Sequence, residues 1–403
     1  MNRLHFSPSF LLIIRLVLAV TFLIGLGFAA PTTTTTHHKH RAVIRPAAHR
    51  PAAKPSVVHP VAYHTTVPVS HAKAAPGPVI AGGPWYEPTY ADSTIGDDVD
   101  GEDLTIRRAA VEALGAYNGS VVVVDPNTGR ILSLVNQRLG LSSGFQPCST
   151  IKVSVALAGL SEKVIDPAAN LRFAGMKMDL TYALAHSSNY YFATLGEKLG
   201  FEKVSYYAHL FGYGEKAGLN IANEQPGRYP LAPPKNGGVG MLTSFGEEIS
   251  QTPLELAALM GAIANGGTLY YLQYPRNQAE VREFVPRVKR RLDIESLIPL
   301  VTPGMRGAVE FGTAHRARED GEIAGKTGTC SENHTHLGWF GSFNEAGNHK
   351  LVVVVLLTGG RPSIGPMAAG IAGDVYRRLS EQKYFAQTQV TPASLISSQI
   401  CCR

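Results

Sequence analysis

Ser149 and Lys152 stand three residues apart, behind Pro147 and Cys148 and ahead of the apolar run Val153–Leu160. A helix that starts near Ser149 puts the two on one face, so hydroxyl and amine can meet. Its N-terminus adds free N–H groups and partial positive charge beside the serine oxygen. A base within reach and donors for a developing oxyanion are what a hydroxyl needs to become a nucleophile for acyl transfer. The same spacing recurs at Ser70/Lys73 and Ser380/Lys383, where nothing nearby suggests chemistry, so spacing alone also fits coincidence.

Two further stretches carry suitable groups. In His186-Ser187-Ser188-Asn189, a hydroxyl at Ser187 is suited to relaying a proton and an amide at Asn189 to gripping a substrate. Residues two apart point the same way only off a turn or an irregular loop. Ser-x-Asn also occurs at Ser331–Asn333 and Ser342–Asn344, so an incidental helix-capping serine is the plain alternative. Gly325-Lys326-Thr327-Gly328-Thr329 contains the one Lys-Thr-Gly of the chain. Its glycines allow another backbone to approach a strand closely, and its lysine and hydroxyls suit a carboxylate. Seen alone, it also fits an edge strand with a solvent-facing lysine.

These groups need elements to hold them. Ile106–Leu114 reads as a short helix; Gly119–Asp125 and Arg130–Asn136 read as two strands around the turn Pro126-Asn127-Thr128-Gly129. Met178–Leu199 is helical by apolar spacing, and Thr252–Ala264 starts another helix at a proline. Glu322–Thr329, Thr335–Phe343 and Lys350–Leu357 read as strands, and Met367–Leu379 as a closing helix. Strands at both ends with helices between them predict one sheet built from the two ends with a helical insertion, an α/β (α+β) fold rather than alternating βαβ units.

The first hundred residues differ. Ser9–Ala30 is almost wholly apolar, long enough to span a bilayer, and carries Arg3 on its flank. An uncleaved signal-anchor is the favoured reading of residues 1–30; a cleaved signal peptide ending near Gly27-Phe28-Ala29-Ala30 is the alternative. Either one exports the rest of the chain. Residues 31–104 are predicted to be a Pro/Ala/Thr/His-rich linker that cannot bury enough apolar surface to fold. Between residues 31 and 86 there are six basic residues and no Asp or Glu, so the net charge of +6 belongs to this tether and not to a nucleic-acid-binding domain. It suits anionic lipid head groups or wall polymers. The globular part is expected over 105–385, with a tail at 386–403.

Taken together, Ser149-x-x-Lys152, Ser187-x-Asn189 and Lys326-Thr327-Gly328 resemble, in order, the active-site motifs of penicillin-binding proteins and serine β-lactamases. Leu180–Asn189 followed by Tyr191-Phe192-Ala193 looks like the penicillin-binding transpeptidase form of the second motif. Leu210–Gly218, Glu224-Gln225-Pro226-Gly227, Thr252–Ala257, Ile263–Gly267, Gly312-Thr313-Ala314 and Trp339-Phe340 extend the match over about residues 105–380.

The resemblance implies a β-lactamase/transpeptidase-like fold, an antiparallel sheet flanked by helices plus a helical lobe. It implies acyl transfer on D-alanyl-D-alanine stem peptides of peptidoglycan, without metal or organic cofactor. Ser149 would be the nucleophile, and Lys152 the base, kept neutral by burial and by Lys326. Ser187 would carry the proton to the leaving group, and Asn189 would bind the substrate amide. Lys326, Thr327, Gly328 and Thr329 would bind its terminal carboxylate end, with the N–H groups of Ser149 and Thr329 as the oxyanion hole. β-Lactams would be covalent inhibitors. The chain would be a single-pass membrane protein with an extracytoplasmic catalytic domain, and a glycosyltransferase is an expected partner. The related fold also suggests a Cys148–Cys330 disulfide, the alternative being two small buried thiols. Three rivals stay open: a β-lactamase, a D,D-carboxypeptidase, and a non-catalytic penicillin-sensing or wall-binding module.

Overall fold

A computed structural model describes residues 87–386, apart from 174, 319–321, 346–348 and 361–363. The apolar stretch Ser9–Ala30, the cationic linker up to residue 86 and the tail with Cys401 and Cys402 lie outside the described residues. Among the described residues no helix is long and apolar enough to cross a membrane.

Strands β1 (Gly119–Val124) and β2 (Ile131–Val135) come from the N-terminal side. Strands β3 (Ile323–Glu332), β4 (Thr335–Asn344) and β5 (Val352–Gly359) come from the C-terminal side. They form one antiparallel sheet in the order β2-β1-β5-β4-β3. β1 and β5 join the two ends, Val121 facing Val355 and Val123 facing Val353. This is the predicted arrangement. The valine run in β1 is uninterrupted because both faces are covered. Val121 and Val123 join one core with helix α1 (Leu104–Leu114) and the C-terminal helix Gly365–Glu381. Val122 and Val124 join the other core, with the helices inserted between β2 and β3.

That insertion holds α2 (Ile151–Ser161), α3 (Leu180–Ala185), α4 (Asn189–Leu199), α5 (Phe201–Leu210), α6 (Gly238–Phe245), α7 (Pro253–Ala264) and α8 (Ile298–Glu310). The C-terminal helix Gly365–Glu381 is α9. α7 begins with a full capping box, in which Thr252 accepts from the Glu255 N–H and Glu255 accepts from the Thr252 N–H. α2 and α7 are buried almost all round, as their apolar composition requires.

Two expectations are corrected. The helix predicted over Met178–Leu199 is two helices, broken at His186–Ser188. Ser187 takes a left-handed φ of 56°, and the Ser188 hydroxyl caps α4 by accepting from the Tyr191 N–H. Apolar spacing continues across the break, so periodicity hides it. The linker expected up to residue 104 ends earlier, because residues 87–103 are held against the domain. The Ser93 hydroxyl donates to the Tyr117 carbonyl, and Asp97 accepts from Arg107 and from the Asn136 and Gln137 N–H groups. Glu102, buried, accepts from the Ser133 hydroxyl and the Leu134 N–H. Charged and turn-forming residues do this without any apolar period.

Candidate active site

Ser149 sits in a single 3-10 turn, Cys148–Thr150, that runs into α2. Cys148 takes a left-handed φ of 52°, and Ser149 is 9% exposed. Three residues on, Lys152 is fully buried. Its Nζ lies 2.6 Å from Ser149 Oγ, 2.8 Å from Asn189 Oδ1 and 2.6 Å from the Ser244 carbonyl oxygen. Each partner has a structural reason to be there. Asn189 is the first residue of α4, placed by the break at Ser187. Ser244 lies in the last turn of α6, where carbonyls have no helical partner and can accept from a side chain.

All three partners can accept, so the set serves the ammonium form, with Nζ donating to each, and also admits the neutral amine. A neutral amine has two N–H bonds and one lone pair. Asn189 Oδ1 and the Ser244 carbonyl can only accept, so they take the two N–H bonds. In that neutral form the lone pair is left to the Ser149 hydroxyl as donor, whereas in the charged form Nζ donates to Ser149 Oγ. Burial, and secondarily the positive charge of Lys326, lowers Lys152 to a pKa of about 6. Lys326 is itself buried, and burial lowers it to about 7. The rings of Phe192 and Phe245 lie 5.9 and 5.7 Å from Lys152 Nζ and exclude water from it.

The Lys-Thr-Gly stretch runs along β3, the edge strand of the sheet, beside this turn. A Cβ on Gly328 would lie 2.7 Å from the Pro147 carbonyl oxygen and 3.3 Å from Cys148 Cβ, so only glycine lets the strand come this close. Cys330, two residues on along the strand, is disulfide-bonded to Cys148, with Cα atoms 5.6 Å apart. Lys326 Nζ donates to the Thr327 carbonyl, the Thr327 hydroxyl is 2.6 Å from that of Thr313, and Thr329 is exposed. The structure therefore brings together Ser149, Lys152 and Asn189, with Lys326, Thr327 and Gly328 alongside. Ser187 is half-buried at the break, and its hydroxyl makes no hydrogen bond to a described residue. The Ser244 carbonyl and Thr313 were not among the sequence candidates. A backbone acceptor has no side-chain signature, and Gly312-Thr313-Ala314 stood out only as a match in pattern.

The model of the penicillin binding protein transpeptidase domain matches residues 119–381, a span that includes all of these groups. The chain belongs to that family. Among curated relatives, stage V sporulation protein D of Bacillus subtilis is 29% identical over 283 residues, covering 61% of this chain and 43% of that protein. The peptidoglycan D,D-transpeptidase MrdA of Haemophilus influenzae is 25% identical over 353 residues, covering 66% of this chain and 54% of MrdA. The chain thus spans about half the length of the curated relatives it matches. The fold is that of Pseudomonas aeruginosa PBP2 in complex with WCK 5153, with a TM-score of 0.59 and 22% identity over 72% of this chain and 77% of that one. The D,D-transpeptidase domain of a peptidoglycan glycosyltransferase from Eggerthella lenta is also similar, with a TM-score of 0.54 and 21% identity over 70% and 82%.

Proposed function

We propose that this penicillin-binding protein is a serine D,D-transpeptidase that acts on peptidoglycan stem peptides ending in D-alanyl-D-alanine, in cell wall synthesis. The observation that carries the reading is the fully buried Lys152 amine 2.6 Å from Ser149 Oγ, with Asn189 Oδ1 and the Ser244 carbonyl as its other partners. With a pKa of about 6 the amine is mostly neutral at pH 7, so it can take the Ser149 proton as the oxygen attacks the penultimate D-alanine carbonyl. The oxyanion that forms is held by the N–H groups of Ser149 and Thr329. One such donor is worth about 10²–10³ in rate.

Collapse of this intermediate breaks the peptide bond. Ser187 passes the proton to the departing D-alanine amine, and an ester on Ser149 remains. Lys326, Thr327 and Thr329 bind the terminal carboxylate, Gly328 lets the substrate backbone lie close, and Asn189 holds the amide of the preceding residue. The acyl group then goes to an acceptor amine. A β-lactam presents the same carbonyl and carboxylate and acylates Ser149 in the same way. In this reading the N-terminal apolar segment and cationic linker tether the domain outside the cytoplasm, where a glycosyltransferase supplies the glycan strand. Incubation with a D-Ala-D-Ala pentapeptide and an acceptor amine tests it. D-Alanine release with amide product in the amine supports transpeptidation, and release to water alone points to a carboxypeptidase.

A further inference from the structure

Resting on that reading of the site, we infer that Gln146 is a positioning residue that locks the Ser149 turn to the end of α6 that holds the Lys152 amine, and that Trp339 and Glu332 hold Gln146 itself in place. Gln146 is 9% exposed and precedes the nucleophile by three residues. Each of its polar groups but the side-chain oxygen is engaged. Its N–H donates to Glu332 Oε2 at 2.8 Å, and its carbonyl accepts from the indole N–H of Trp339, a fully buried side chain, at 2.9 Å. Its side-chain amide donates to the Phe245 carbonyl at 3.1 Å and to Glu247 Oε2 at 3.2 Å.

These contacts span the two halves of the reacting pair. Glu332 and Trp339 belong to the β3–β4 hairpin, which also carries Cys330, the partner of Cys148. Phe245 follows Ser244, whose carbonyl accepts from Lys152. The backbone of Gln146 is thus pinned to the substrate-binding strand pair while its side chain ties down the α6 terminus. Cys148 lies between this anchor and Ser149 in a left-handed conformation, which a non-glycine residue holds only when its surroundings impose it. A turn held this way keeps the Ser149 oxygen 2.6 Å from the Lys152 amine, and reaction rates are steep in such distances.

The test uses the full chain, purified in detergent, and the kinetics of acylation by a fluorescent penicillin. The limiting rate kinact is separated from KI, and Tm is measured beside them. Gln146→Met keeps the shape and removes both side-chain donors; Trp339→Phe removes the donor to the carbonyl. Each is expected to lower kinact by about tenfold, with KI within about twofold, at a temperature well below its Tm. The double variant should be no slower than the slower single one, because the two act through one anchor. Glu332→Gln, which keeps an acceptor for the Gln146 N–H, should retain the rate that Glu332→Ala loses. Unchanged kinact in Gln146→Met and Trp339→Phe would overturn the inference, as would a loss in KI alone or a loss that follows Tm. If the wild-type chain itself takes no label, the underlying reading of the site fails and the positioning role with it.

Discussion

Lys152 Nζ and Ser149 Oγ are 2.6 Å apart, and the amine's other two contacts are groups that can only accept. The hydrogen-bond set admits both the charged and the neutral amine, and burial beside Lys326 favours the neutral one. Distance puts this amine within reach of the Ser149 proton, and burial favours the form that can take it.

The pH dependence of acylation follows from this. The base works only when neutral, so kinact at saturating penicillin should rise with pH through a midpoint near 6 and level off, while KI should weaken as Lys326 loses its charge near 7. Lys326→Met removes a neighbouring positive charge, so the Lys152 midpoint should move to higher pH, whatever happens to binding. Rates from pH 5 to 8 check both. A flat profile, or a midpoint that moves down in Lys326→Met, contradicts the assignment of the base.

Gly328 should tolerate no side chain. An added methyl would meet the Pro147 carbonyl oxygen at 2.7 Å and Trp339 Cβ at 3.1 Å, and neither can swing away. Gly328→Ala should cut acylation by about 10²-fold, because it pushes the edge strand off the serine turn. Circular dichroism should show the domain still folded. Near-normal acylation would mean that the strand and the turn need not lie so close.

Cys148 and Cys330 are 182 positions apart in the chain. Closing so long a loop limits the unfolded ensemble by up to about 5 kcal/mol in the chain-entropy treatment. The Cys148→Ser/Cys330→Ser pair, or the wild type in reductant, should therefore melt lower by about 5 °C or more. Superimposable melts with and without reductant would show that the bridge contributes nothing to stability.

Much of this was legible in the sequence, for physical reasons. Gly119–Asp125 read as a strand because a turn, Pro126-Asn127-Thr128-Gly129, bounds it, and three-residue spacing at a helix start could place Ser149 on Lys152. What escaped was carried by groups without a pattern. Ser187 breaks a helix whose apolar spacing continues on both sides. Asp97 and Glu102 order the segment before α1 through hydrogen bonds that leave no period. The Ser244 carbonyl is a backbone atom, so nothing in its side chain announces it.

Thr313 was also missed, and it makes a prediction. Its hydroxyl is 2.6 Å from that of Thr327, which it orients. A hydrogen bond of this kind is worth about 1 kcal/mol net. Thr313→Val should weaken KI for a penicillin by about fivefold and leave kinact nearly unchanged. If kinact falls instead, Thr313 acts on the reacting groups and not on the carboxylate site.

In this reading Ser149 is the acylated nucleophile. That role is tested most directly by treating the full chain and Ser149→Ala with a fluorescent penicillin and locating the adduct by mass spectrometry of the digest. One adduct per wild-type chain is expected, on the peptide containing Ser149, and none in Ser149→Ala. Label on another residue, or equal labelling of the folded Ser149→Ala chain, would contradict it.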